Sequence, residues 1–219
     1  MKARLLLDGK CPAPRNMAVD EALLRHVQAP LLRIYGWEMA CVSIGYFQKA
    51  TVVPSGRPFV RRYTGGGLVE HGRDLTYTLV LPADHPLTTA GTLPSYRSIH
   101  QAVARALQEC GMECRLATAE PKKDDPSCFL KPVPADVLDS AGNKLAGAAQ
   151  RRTKQGCLHQ GSILLPGEIP GNLPEKLTQS LQKCLGTGLQ ISTLTREEEK
   201  FADEMVLSRY STHSWNNSR

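Results

Sequence analysis

Aromatic residues are scarce in this chain: Phe, Trp and Tyr together make up 5% of its 219 residues. A surface that stacks bases needs rings interleaved with basic residues along a strand, and no segment has that pattern, so nucleic acid is excluded as the expected partner. Long apolar runs are missing too. Nothing approaches the roughly eighteen apolar residues of a membrane span. The amino-terminal run Leu5-Leu6-Leu7 is cut off by Arg4 and Asp8, so it reads as a first strand rather than a signal peptide, and the expected location is the cytoplasm, with no membrane attachment. Seven cysteines, at positions 11, 41, 110, 114, 128, 157 and 184, form neither a Cys-x-x-Cys pair nor an even framework. That argues against a disulfide scaffold or a structural zinc site, and most of them are expected to be small buried hydrophobes. Internal repeats and low-complexity tracts are also missing.

What is present suits a folded domain. Hydrophobic residues at 41% can build a core, and the length fits one domain better than two. We expect a single unit over residues 1–210 and a polar tail, frayed, over 211–219. The formal net charge of +6 favours acidic partners, which include acidic carrier proteins.

Along the chain, Asn16 can cap a helix running to about Val27. Residues 31–37 and 41–46 read as strands of a hairpin, followed by strands over 59–62 and 75–81. In the last of these, Leu75, Tyr77, Leu79 and Leu81 alternate with Thr76, Thr78 and Val80, the period of a sheet with unlike faces. A helix begins at Ser95, with Ile99, Val103, Leu107 and Cys110 at helical spacing and Gly111 at its stop. Strands follow over 113–117 and 162–165, with a hairpin joining 136–138 to 144–149. Helices close the chain over 173–185 and 195–210, the second opened by a Thr195–Glu198 capping box. Clustered strands with helices between them give an α+β class: mixed sheets flanked by helices.

Two segments carry the chemistry. The first runs from Arg61-Arg62-Tyr63-Thr64-Gly65-Gly66-Gly67 through His71 to Asp74-Leu75-Thr76-Tyr77. Three glycines between a basic pair and a strand let a ligand approach the backbone closely. The arginine forks suit phosphate or carboxylate. No Gly-Lys-Ser/Thr follows, so this is not a Walker loop. The second segment is Lys144-Leu145-Ala146-Gly147-Ala148-Ala149, running on to His159-Gln160-Gly161-Ser162. It sets one long cation among small residues, which leaves space for a ligand and little for water.

With residues 16–24, these segments resemble the lipoate–protein ligase and octanoyltransferase superfamily, relatives of biotin–protein ligase, over most of residues 12–166. The resemblance implies a biotin/lipoate ligase catalytic-domain-like fold. It also implies that Lys144, in a Lys-[Ile/Leu]-x-Gly-x-Ala pattern, contacts the acyl carbonyl. Arg61, Arg62, Thr64, Gly65, Gly66, Gly67 and His71, with Gly147, Ala148, His159, Gly161 and Ser162, would then bind the acyl substrate. Cys128-Phe129, sixteen residues before the lysine, resembles the cysteine site of one octanoyltransferase class. A lysine ammonium beside that thiol would lower its pKa and raise its thiolate fraction.

The expected reaction takes octanoyl from acyl carrier protein onto Cys128, paired with Lys144. It then passes the group to a lysine of a lipoyl domain or of glycine-cleavage H protein, with no cofactor and no metal. Three other readings stay open. Gly67 completes a ligase-like triple glycine, which points to an ATP-dependent lipoate–protein ligase using ATP and Mg. An amidotransferase could move lipoyl groups through the same cysteine. A carrier-binding protein that has lost turnover would keep the fold. His71 and His159 either polarise a carbonyl or serve as structural hydrogen-bonders. Cys157 is a rival thiol. The basic clusters Lys122-Lys123 and Arg151-Arg152-Thr153-Lys154 flank the proposed dyad as a landing patch for acidic domains.

Overall fold

The alternation along residues 75–82 builds the centre of the molecule. In the computed structural model, which describes residues 2–118 and 133–218, this segment is one strand of a large mixed sheet. The strands are β1 (Ala3–Cys11), β2 (Leu31–Trp37), β3 (Cys41–Ile44), β4 (Phe59–Arg61), β5 (Val69–His71), β6 (Leu75–Pro82), β7 (Cys114–Leu116), β8 (Val137–Asp139), β9 (Lys144–Arg152), β10 (Gly156–Ile163) and β11 (Leu189–Ile191). The helices are α1 (Ala13–Arg25), α2 (Pro86–Thr89), α3 (Thr92–Glu109), α4 (Leu173–Leu185), α5 (Arg196–Met205) and α6 (His213–Asn216).

Eight strands pair in the order β11-β1-β2-β6-β10-β9-β8-β7, and a second sheet has the order β4-β3-β5. In the large sheet, β1 runs parallel to β11 and β2, and every other pairing is antiparallel. The leucine face of β6 packs with Ile99, Val103 and Leu107 of α3 and Leu177 and Leu181 of α4 into one core. The opposite face, with Tyr35, Trp37 and Val80, packs under Met17, Val19 and Leu23 of α1 and Val60 of the small sheet. The architecture is α+β as expected, with helices on both sides of the large sheet. Among the described residues no helix is long and apolar enough to cross a membrane.

Several local expectations are corrected. Asn16 does not cap α1: the helix begins at Ala13 behind Pro12, with a proline in its first turn. The Asn16 amide instead donates to the carbonyls of Cys11 and Gly36 and accepts from Arg33. β2 and β3 form no hairpin, because β3 pairs with β4 and β5 in the other sheet; residues 38–40 lack the Asn-Gly type of turn that a tight hairpin needs. α3 starts at Thr92, with Ser95 inside it bonding back to the carbonyls of Gly91 and Thr92. The strand expected over 162–165 is the end of β10, which spans Gly156–Ile163. The final helix is α5 followed by a wide π turn over Val206–Tyr210. Near the carboxy terminus, Thr212 caps α6, and Trp215 and Asn216 bond to Arg61.

Candidate active site

A row of small residues crosses the sheet on its α1 face. Tyr35 lies opposite Thr76, Thr76 opposite Ser162, and Ser162 opposite Gly147. Four strands at about 4.8 Å spacing make this row about 14 Å long. Because Thr, Ser and Gly leave the sheet surface low, a trench of about 420 Å³ opens above it. Gly66, Gly67, Leu68 and His71 wall one side, and Lys144, Gly147 and Ala148 line the β9 side.

The glycine segment is fixed by its own basic residues. The Arg62 guanidinium is buried and donates to the carbonyl and hydroxyl of Ser43 and to the carbonyls of Gly65 and Gly67. Burial lowers its pKa to about 10. Gly66 has φ +84°, and a Cβ there would press on Ala149 Cβ and Arg62 Nη2 at 3.2 and 3.3 Å; only glycine fits this close approach. Thr64 donates to Gln160, and Gln160 donates to the fully buried Asp20 of α1. Asp20 also binds Arg33, Tyr35 and Thr78. Asp20 thereby pins the loop to the sheet.

Arg61 lies outside the trench lining. It is fully buried, with its guanidinium on the carbonyls of Gly45, Tyr46, Gln48, Trp215 and Asn216. In this position it braces β4 against the carboxy terminus. Arg152 likewise turns inward, to the carbonyls of Thr88 and Gly91 and to Ser95. Arg151 lies flat over the rings of Tyr63 and Tyr46.

His71 joins a polar group at the trench wall. Its Nε2 lies 2.6 Å from Ser43 Oγ and its Nδ1 2.8 Å from Asp74, and its ring stacks on Trp37 at 3.8 Å. Burial pushes the His71 pKa down despite the Asp74 partner. Burial opposes ionisation of Asp74, yet bonds from His71, Ser162 and the Gly72 N–H outweigh it and hold that carboxyl below the usual range. A neutral His71 donates its Nδ1–H to the Asp74 carboxylate, which leaves Nε2 to accept from the Ser43 hydroxyl. His159 is fully buried and does not line the trench; it meets Tyr77, Gln150 and the ring of His100.

Lys144 is 39% exposed, and its ammonium lies 2.8 Å from the fully buried Asp136. The end of its side chain passes over Gly147, so that a Cβ at 147 would fall inside 3.0 Å of Lys144 Cε and Nζ. The glycine makes room for the cation. Tyr96 Oη bonds to Asp136 and to the backbone of Ala148. Asp136, Tyr96, Asp74, Asp20 and Gln160 were not among the residues expected at the site. Asp136 was legible from the hairpin: pairing Val137 with Ala146 sets residue 136 opposite 147.

Cys128, Lys122 and Lys123 lie outside the described residues. The described chain approaches that segment and leaves it beside Asp136: Ala117 N–H donates to the Asp136 carbonyl, and Ala135 N–H to the Ala117 carbonyl. None of the six described cysteines lines the trench. Burial raises the pKa of Cys157, Cys110, Cys114 and Cys184, and that of Cys41 to about 11, so these thiols are poor nucleophiles at neutral pH. Among the described residues no group of three His, Cys, Asp or Glu is arranged to hold a metal.

This geometry matches known proteins. The Lipoyl protein ligase A/B catalytic domain matches residues 12–204. The octanoyltransferase LipM of Brevibacillus brevis is 33% identical, over 92% of this chain and 93% of its own. That of Symbiobacterium thermophilum is 32% identical over 97% of each. A lipoate-protein ligase A solved with ATP bound superposes with a TM-score of 0.81 at 26% identity over 99% of both chains. A bi-partite lipoate protein ligase of Thermoplasma acidophilum, solved in work that includes its E2 lipoyl domain, gives 0.78 at 25% identity over 99% of this chain and 96% of that one. The chain belongs to the Lipoyl protein ligase A/B catalytic domain family and is an acyltransferase-type enzyme within it.

Proposed function

We propose that this enzyme moves an octanoyl group from the thioester of acyl carrier protein, through Cys128, to a lysine of a lipoyl domain or of glycine-cleavage H protein, without ATP. The observation that carries the reading is the Lys144 ammonium held over Gly147 on the β9 side of the trench. It sits where a carbonyl at the head of a bound acyl chain would meet positive charge. Burying about six methylenes of that chain is worth roughly 5 kcal/mol at about 0.8 each, enough to hold the substrate.

In the first step the Cys128 thiolate attacks the donor carbonyl, with Lys144 facing the oxyanion, and the carrier's thiol leaves. One thioester replaces another, so the exchange is close to energy-neutral. In the second step the acceptor amine attacks the acyl-enzyme, an amide forms, and Cys128 departs as a thiolate that takes up the amine's proton. Amide formation drives the sequence downhill. Support for the cysteine comes from the octanoyltransferase relatives, from the absence of any described thiol in the trench, and from Ala117 and Val133, near the two ends of the segment that holds it, bonding to Asp136. Arg151 and Lys154 would meet the acidic partners.

The ligase reading draws on the third glycine, Gly67, and on the likeness to the ATP-bound ligase. Incubating the enzyme with octanoyl-carrier protein and a lipoyl domain separates the two. Transfer without ATP that disappears in Cys128→Ala supports the proposal. Modification only with free octanoate and ATP overturns it.

A further inference from the structure

Asp136 is fully buried, and three donors converge on its carboxylate. The Lys144 ammonium and the Val133 N–H reach Oδ2 at 2.8 and 2.9 Å, and the Tyr96 hydroxyl reaches Oδ1. A buried carboxylate without a cation is strongly disfavoured. Among the described residues the side chains nearby offer no other cation: burial lowers His100 to about 4 and His159 well below its ordinary value, and Arg152 is committed to Thr88 and Gly91. Among the described residues Lys144 is therefore the cation that balances Asp136, and Asp136 in turn fixes where that ammonium sits.

Tyr96 supplies the second half of the support. Its single proton has two acceptors in reach, Asp136 Oδ1 at 2.5 Å and the Ala148 carbonyl at 3.2 Å. The nearer, charged oxygen takes it. The hydroxyl oxygen is then free to accept the Ala148 N–H at 2.9 Å. β8 pairs with β9 at Ala146 and Lys144, and not at Ala148. Tyr96 thus stands in for a missing ladder partner and ties the carboxylate to the backbone that lines the trench.

We propose that Asp136 and Tyr96 are the positioning residues of Lys144: the carboxylate holds the ammonium over Gly147 as a fixed positive charge, and the hydroxyl locks the carboxylate to β9. This rests on Lys144 serving the acyl group, whichever donor delivers it. An ammonium has no lone pair to accept a proton, so Lys144 steadies developing negative charge and does not deprotonate the incoming amine.

A double-mutant cycle on the full chain tests this, read as kcat and KM for lipoyl-domain acylation. It is run with octanoyl-carrier protein alone and with octanoate plus ATP, so the cycle is readable whichever reaction the wild-type enzyme performs. A failure of the cysteine route then stays distinct from a failure of this assignment. Asp136→Asn and Tyr96→Phe should each lower kcat by about ten- to a hundredfold, the size found when supports of a reacting group are removed, with KM nearly unchanged. In a Lys144→Ala background neither should add more than about twofold, because both act through the lysine. Losses that multiply in that background, or wild-type kcat in Asp136→Asn, would overturn the assignment. Tyr96→Phe, which keeps the ring, carries the cycle if Asp136→Asn does not fold.

Discussion

Gly147→Ala separates the position of Lys144 from the stability of the fold. The new Cβ would fall inside 3.0 Å of Lys144 Cε and Nζ, against an ordinary contact of 3.4–4 Å, and would also press on Asp136 Oδ1 at 3.2 Å. The lysine tip is partly exposed and flexible, so it yields first, moving by about 1 Å or more. The thermodynamic effect is small. A shift of this size leaves the ammonium close to the buried Asp136 and, since the lysine end is partly exposed and screened, weakens the pair by about 1 kcal/mol, while replacing glycine within a strand returns roughly 0.5–1 kcal/mol. The melting temperature should move by no more than about 4 °C for a chain of this size. Turnover should fall about a hundredfold, the cost of an ångström of misplacement at a reacting group. Calorimetry on the variant, paired with steady-state acylation of a lipoyl domain, measures both. Wild-type turnover in Gly147→Ala would refute the reasoning, as would a loss of activity matched by a large fall in melting temperature.

Further outcomes follow from the same geometry. Arg61→Ala should destabilise the protein by at least about 2 kcal/mol, seen as a lower urea midpoint, because it strips the carbonyls of Gly45 and Gln48, in the segment after β3, and of Asn216, near the carboxy terminus, of their donor. Cys157→Ala should keep turnover near the wild-type level, since that thiol is fully buried, belongs to the α3–α4 core and lies outside the trench; a large loss would return it as the rival nucleophile. Acid should weaken the fold between about pH 6.5 and 4. His71, His100 and His159 have folded pKa values lowered by burial, so the unfolded chain binds their protons first as pH falls below its ordinary histidine value near 6.5. For His100, at about 4, the loss by the bottom of that window is about 3 kcal/mol. Urea midpoints that do not drop from pH 7 to pH 5 would contradict this.

The elements that show in the sequence are those whose signals are local. α4 occupies the expected residues 173–185, and the Thr195–Glu198 capping box forms as written. The β8–β9 hairpin forms around 140–143 because Asp139 and the residues after it close a tight turn. Long-range choices were less legible. Nothing in residues 31–46 says that β3 leaves the large sheet, since that depends on β4 and β5, which arrive later in the chain. The capping role expected of Asn16 was overridden by the prolines at 12 and 14 and by Arg33, whose buried guanidinium claims the amide oxygen.

The site divides in the same way. Lys144, Gly66, Gly67, Gly147, Ala148, Gly161 and Ser162 line one trench. Arg61, Thr64 and His159 sit behind it, holding strands and loop. Burial of a polar residue is decided by partners distant in sequence, such as Trp215 for Arg61 and Gln160 for Thr64, and these do not show in a motif.

The proposed transfer depends on a covalent octanoyl-enzyme at position 128. Intact-mass and peptide mapping after mixing the enzyme with octanoyl-carrier protein alone, without nucleotide, measures it most directly. One octanoyl adduct is expected on the peptide holding Cys128, discharged when a lipoyl domain is added. A lipoyl domain that becomes acylated while Cys128 never carries the group would contradict it.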